Sequence, residues 1–209
     1  MTYEQRKQER QALIDHLLAQ DWNVFGTLKF VNGRTIGRSS ADKLLRSYWN
    51  KMDRLMFGKA AERQNKRVPR WCFAHEGSDS ENFHVHFALH APIPDVDHVS
   101  CVLNAVWAQH YNQTAPLFKN WIMPVTDRTA VASYLTREYW RLGSDTISDN
   151  LCWDTPQLNF APNDNYAQQQ AHRITRAASP LWLQQAQQAL HSQQARYEAS
   201  GDLQMMERG

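Results

Sequence analysis

The sequence predicts an α+β fold: a central, mainly antiparallel β-sheet with flanking helices, and a helical C-terminal appendage. Three observations predict it. Short runs of β-branched and aromatic residues alternate with longer runs of three- and four-residue apolar spacing, two of the strand-like runs adjoin through a short polar connection, and no internal repeat is present. A chain of 209 residues is long enough for one domain with a proper core and short for two.

In chain order, residues 3–19 read as an amphipathic helix with Leu13, Ile14, Leu17 and Leu18 as its stripe. "DWNVFGTLKF", residues 21–30, reads as a strand closed by the Asn32-Gly33 turn signal. Residues 40–57 return to helical spacing through Leu44, Leu45, Tyr48, Trp49, Met52, Leu55 and Met56, with Ser40 as the expected N-cap. "RWCFAHE", residues 70–76, is a second strand, and "GSDSEN" connects it as a hairpin to "ENFHVHFALH", residues 81–90. A second amphipathic helix carries Val99, Val102, Leu103, Val106 and Trp107. Residues 117–125 form a further strand, and "TDRTAVASYLTREYWRL" a third helix capped by Thr126 or Asp127. The order suits helices packed on one side of the sheet. Residues 1–143 hold this domain; residues 144–209, loop-rich and then Gln-rich, read as an extension docked on it.

Composition excludes several classes. Cys72, Cys101 and Cys152 form no C-x-x-C pair and sit among large apolar residues, so neither a disulfide framework nor a zinc–cysteine site is expected. The charged N-terminus has no signal-like apolar run and nothing approaches a membrane span, so a cytoplasmic location without a membrane partner is expected. A net charge of +2 does not mark a nucleic-acid binder by bulk charge, but the cations are uneven. Arg6, Lys7 and Arg10 cluster near the start; Lys59, Arg63, Lys66, Arg67 and Arg70 read as a mobile basic loop able to meet phosphate.

The chemistry begins at His84 and His86. Alternation along a strand puts Phe83, Val85, Phe87 and Leu89 on one face and His84, His86, Ala88 and His90 on the other. Two histidines on a solvated face need no metal; Glu76 alters that reading, because it ends the preceding strand and a hairpin brings its carboxylate beside the imidazoles. Two histidines and a carboxylate leave positions open on a divalent cation for a substrate oxygen. His75 is the rival third ligand, and a regular strand lets only one of the two face the site. Glu76 is preferred because a hard carboxylate suits a metal that holds phosphate. On the third helix, Tyr134 lies one turn before Arg137 and Glu138, so a phenol, a guanidinium and a carboxylate share a face. A nearby cation favours the phenolate, the nucleophilic form.

These segments, "FGTLKF", "FHVHF" and "YLTRE", in that order between Phe25 and Glu138, resemble the HUH endonuclease superfamily, and within it the rolling-circle replication initiators with a single catalytic tyrosine. The resemblance implies a ferredoxin- or RRM-like HUH fold. It implies a divalent metal, Mg2+ or Mn2+, on His84 and His86 with Glu76 as third ligand, and attack by Tyr134 on a phosphodiester of single-stranded DNA to form a 5′-phosphotyrosine link. The expected partners are single-stranded DNA at a replication-origin hairpin, met by Lys29, Lys66, Arg67 and Arg70, and a host helicase and polymerase, since "FGKA" lacks the features of a nucleotide-binding loop. Arg137 stands where single-tyrosine initiators commonly carry lysine; it keeps the charge but does not give up a proton, which leaves electrostatic positioning as its role. In a regular helix Tyr139 falls roughly 140° from Tyr134, so it is not a second nucleophile. The competing readings are an HUH relaxase or transposase, a phosphodiesterase using water, and a non-enzymatic domain stacking bases on exposed Trp22, Phe25 and Trp71.

Overall fold

The computed structural model describes residues 2–75, 82–110, 114–154 and 164–201. Helix α1 (Tyr3–Ala19) starts with a capping box in which the Thr2 hydroxyl accepts from the Gln5 N–H and the Gln5 side chain accepts from the Thr2 N–H. Strand β1 (Val24–Lys29) is followed by α2 (Arg38–Phe57), α3 (Ala60–Arg63), β2 (Arg70–His75), β3 (His84–Leu89), α4 (Val96–Ala108) and β4 (Trp121–Pro124). Then come α5 (Arg128–Leu135), α6 (Tyr139–Leu142), α7 (Asp164–Thr175) and α8 (Pro180–Ser200). Helix α2 begins earlier than Ser40, behind Gly37. The strand expected over 117–125 is shorter, because Leu117–Lys119 wind into a 3-10 turn after Pro116.

The four strands form one sheet in the order β2-β3-β1-β4, every neighbouring pair antiparallel. Gly33 sets the entrance to β3: a Cβ there would lie 2.6 Å from Asn82 Cβ and 2.9 Å from the Phe83 carbonyl oxygen, while the Gly33 carbonyl accepts from the Phe83 N–H. On one sheet face Val24, Leu28, Val85, Phe87 and Leu89 pack against Leu45, Trp49 and Met52 of α2 and Val102 and Val106 of α4. On the opposite face Phe25, Phe73, Ala88 and Met123 pack with Ile14 and Leu17 of α1 and Val131 and Leu135 of α5.

Helices therefore cover both faces, which corrects the expectation of a one-sided sandwich. The physical reason is that the histidine face also presents Phe25, Phe73 and Ala88, and apolar area of that size is driven from water. Trp22 and Phe25 lie buried beneath this layer, so neither is an exposed platform for bases.

The open edges of the sheet are closed by later parts of the chain. At β2, Arg70 and Trp153 exchange backbone hydrogen bonds of 2.7 Å, and Ser148 N–H donates to the Cys72 carbonyl at 2.9 Å. At β4, Gln193 of α8 accepts from the Ile122 N–H and donates to the Asn120 carbonyl at 2.7 Å. Helix α8 packs on α4 and β4 and buries Ala186, Ala189 and Leu190. No described helix is long and apolar enough to cross a membrane. All three cysteines are free thiols.

The basic segment is corrected as well. Asp53, fully buried on α2, accepts from the Val68 N–H and from Arg70 Nη1, both at 2.8 Å, and its second oxygen lies 3.6 Å from Arg67 Nε. Arg67 also donates to the Ala61 carbonyl at 2.7 Å. A buried carboxylate must be matched by charge and hydrogen bonds, and it draws these cations inward. Arg70, 2% exposed, is thus part of the core and not a DNA contact, and the stretch before β2 is anchored instead of loose. Lys66 stays exposed.

Candidate metal centre

The register brings the histidines together. Directly opposed residues of antiparallel strands point to the same face, and His75 of β2 stands opposite His84 of β3. His86, two residues along β3, shares that face. The ring centroids of His75 and His84 are 4.2 Å apart with the planes 27° from parallel; those of His84 and His86 are 4.7 Å apart. One ring nitrogen from each of the three lies within 4.8 Å of the other two, close enough to hold a metal ion. All three residues are buried, at 2%, 5% and 1% exposure.

The cluster also has the outer contacts that imidazole ligands use to keep their orientation. His84 Nδ1 lies 2.7 Å from the Asn82 carbonyl oxygen, which can only accept, so Nδ1 carries the proton and Nε2 offers its lone pair. His86 Nδ1 lies 2.9 Å from the Thr27 hydroxyl on β1. His75 Nδ1 lies 3.2 Å from Glu138 Oε1, an ion-pair distance without hydrogen-bond geometry.

Among the described residues the third member of the cluster is His75, the alternative that the sequence set beside Glu76. Strand alternation lets one of two adjacent residues face the site, and the cross-strand register assigns that face to His75. Glu76 itself lies outside the described residues. Imidazole donors suit zinc, copper, iron and nickel, whereas magnesium favours oxygen.

Tyr134 of α5 comes down on this face, its ring 4.8 Å from that of His86. The Arg137 guanidinium lies 4.7 Å from the Tyr134 ring centroid. The long third helix is in fact two: α5 ends at Leu135, a turn spans residues 136–138, and α6 starts at Tyr139. The Thr136 hydroxyl donates back to the Ala132 carbonyl at 2.9 Å, and Arg10 of α1 donates to the Thr136 and Ser133 carbonyls, both at 3.0 Å. Such bonds satisfy the last carbonyls of a helix and favour its termination. The regular-helix angle between Tyr134 and Tyr139 therefore does not apply. Tyr139 is held by α1, its hydroxyl donating to Glu9 Oε2 at 3.0 Å; burial and this bond both push its phenol upward in pKa.

Of the expected DNA contacts, Lys29 pairs with His84 across β1 and β3, on the histidine face. Lys66 and Arg67 stand apart before β2. Sequence reasoning missed the roles of Thr27, Asn82 and Glu138, and of Arg10 and Arg6, the latter donating to the Trp140 carbonyl at 2.6 Å. The two arginines read as a basic cluster, yet Arg10 fastens the end of α5, which bears Tyr134, and Arg6 fastens α6.

Comparison of the chain with protein-family profiles, curated protein sequences and solved structures returned no match.

Proposed function

We propose that this protein is a metal-dependent endonuclease and strand transferase for single-stranded DNA that uses Tyr134 as its nucleophile. The observation that carries the proposal is the placement of Tyr134 against His86, at the edge of a three-histidine cluster, with Arg137 stacked on its ring. The β-α-β-β-α-β order of β1 to β4 with α2 and α4, in a sheet ordered β2-β3-β1-β4, supports a ferredoxin-like HUH arrangement. A divalent ion bound there, of a kind that accepts nitrogen donors such as Mn2+ or Zn2+, would polarise the scissile phosphate.

The chain supplies the other parts. Tyr134 Oη gives up its proton and bonds to phosphorus, and the bond from phosphorus to the 3′ oxygen breaks. That oxygen leaves and takes a proton, and the 5′ side remains as a phosphotyrosyl ester. Attack by a 3′-hydroxyl on the ester reverses the step and rejoins the strand without a nucleotide cofactor. Arg137 provides positive charge where the phenolate and phosphate develop negative charge. Lys29, opposite His84 on the same face, would meet a phosphate beside the cut. Initiation of rolling-circle replication at an origin hairpin, with a separate helicase and polymerase, is the biological setting that this chemistry serves best.

A second reading rests on the burial of the three imidazoles: a closed site of this kind can hold a structural metal. One experiment separates the two. The full chain is incubated with Mn2+ or Zn2+ and a pool of 3′-labelled, hairpin-containing single-stranded DNA, then denatured. A labelled protein band, lost in His84→Ala and His86→Ala, is the expected result. A metal-dependent rise in melting temperature with no band would establish the structural reading and defeat the nuclease.

A further inference from the structure

A cleft of about 210 Å3 lies between the first half of α2 and the turn at residues 147–151. Arg38, Asp42 and Arg46 line it from α2, four residues apart and so on one helix face. Ser148 and Asp149 line it from the turn, and Ile147 and Leu151 add apolar surface. The turn is held in place. Ser148 N–H donates to the Cys72 carbonyl at 2.9 Å, Leu151 N–H donates to the Ser148 carbonyl at 2.7 Å, and Ile147 bridges to Phe73. Ser148 is 8% exposed, yet its hydroxyl has no hydrogen-bond partner among the described residues. A buried hydroxyl without a partner costs free energy, and a ligand atom that bonds to it removes that cost.

The lining selects the class of ligand. Two guanidinium groups oppose a cation and two carboxylates oppose a simple anion, so the occupant must offer acceptors and donors at separate positions. Among the parts of single-stranded DNA, guanine meets this condition best. Its O6 and N7 are an acceptor pair that fits an arginine fork, and its N1–H and 2-amino group are a donor pair that fits the two oxygens of a carboxylate. We propose that this cleft takes a guanine base of the DNA strand. The arginines meet O6 and N7, an aspartate meets N1–H and the amino group, the Ser148 hydroxyl bonds to the base edge, and Ile147 and Leu151 cover the ring. The turn is bound to Cys72 and Phe73 on β2, the strand that also supplies His75. A strand lying on the metal centre therefore passes round this edge of the sheet to place its guanine. The inference rests on the reading of the chain as an enzyme of single-stranded DNA, and adds a base preference to it.

The test measures fluorescence anisotropy of labelled strands with the purified full chain and no added metal, so that every strand stays intact. Four strands are compared: thymine only, and the same strand with spaced guanine, hypoxanthine, which lacks the amino group, or 7-deazaguanine, which lacks N7. The guanine strand should bind roughly 5- to 100-fold more tightly than the thymine strand, and the two analogues should lose most of that gain. The double variant Asp42→Asn, Asp149→Asn should bind guanine and hypoxanthine alike. Arg38→Gln, Arg46→Gln should bind guanine and 7-deazaguanine alike. Ser148→Ala should lower the guanine preference roughly 2- to 10-fold. Equal wild-type affinity for all four strands overturns the proposal; a metal-dependent covalent adduct on those same strands then leaves the nuclease reading standing. Free GMP that competes as well as the guanine strand assigns the cleft to a nucleotide and overturns its role in DNA binding. Should a double variant fail to fold, an unchanged preference in Ser148→Ala overturns the proposal. Absence of binding to any strand removes the DNA reading too, an outcome distinct from binding that ignores guanine.

Discussion

Three imidazoles buried on one sheet face are costly unless their polar atoms have partners, because each ring loses its hydration on folding. The contacts of His84 with the Asn82 carbonyl and of His86 with the Thr27 hydroxyl offset part of that cost and set the direction of each ring. Tyr134 and Tyr139 show how position in the same segment separates two identical side chains. Tyr134 lies over His86, whereas Tyr139 points to Glu9 on α1, with burial and that hydrogen bond holding its phenol protonated beyond the usual range. Tyr134→Phe should therefore abolish the DNA adduct. Tyr139→Phe should keep it and lose at most about 1 kcal/mol of stability, the usual worth of one hydrogen bond. Peptide mapping of the adduct checks the assignment, and a DNA-linked peptide containing a modified Tyr139 would refute it.

At the scale of elements, the buried Asp53 organises the junction between α2 and β2. Its two oxygens face the Val68 N–H and the guanidinium groups of Arg70 and Arg67, and Arg70 in turn lies over the Trp49 ring at 4.9 Å. Removal of one member leaves the others buried and unmatched, so Asp53→Ala should destabilise the fold by roughly 3–5 kcal/mol, measured by urea denaturation. Lys66, exposed at the same junction, has a different expected role. Lys66→Gln should leave stability unchanged and reduce the salt dependence of single-stranded DNA binding by about one counterion, read from affinities at several ionic strengths. An unaltered slope would make Lys66 ordinary solvated surface.

The whole molecule is a sheet enclosed on both faces, and this enclosure governs its thiols. Burial pushes the Cys101 and Cys152 thiols up to about 12, and burial also raises Cys72 well above its ordinary value. The thiolate is the reactive form, so at pH 8 the folded protein should be alkylated slowly at all three positions, and unfolding in denaturant should release fast labelling. Rapid modification of Cys101 or Cys152 in the native state would contradict the enclosed fold. The later chain takes part in the same enclosure. Gln193 completes the hydrogen bonding of β4, and Gln170 donates to the Met56 carbonyl at the end of α2.

The sequence by itself determined the features that depend on local period. Alternation placed His84 and His86 together on one face and the phenylalanines on the other; three- and four-residue spacing located α1, α2 and α4; and Asp127 marked the start of α5, where its side chain accepts from the Ala130 N–H. Tertiary structure alone decided what depends on register and on packing from a distance. The choice of His75 as third member of the cluster follows from its pairing with His84, and no property of residues 75 and 76 in isolation contains that pairing. The break after Leu135 also escaped the apolar pattern, which runs on through Tyr139 and Trp140. It is tied to hydrogen bonds from Arg10, 126 residues from Thr136, and to the back-bonded Thr136 hydroxyl. Arg6 and Arg10 looked only like a basic cluster, and Arg70 like a phosphate contact, because charge is visible in a sequence and burial is not. Arg10 fastens the end of α5, Arg6 fastens α6, and Arg70 neutralises Asp53 inside the core.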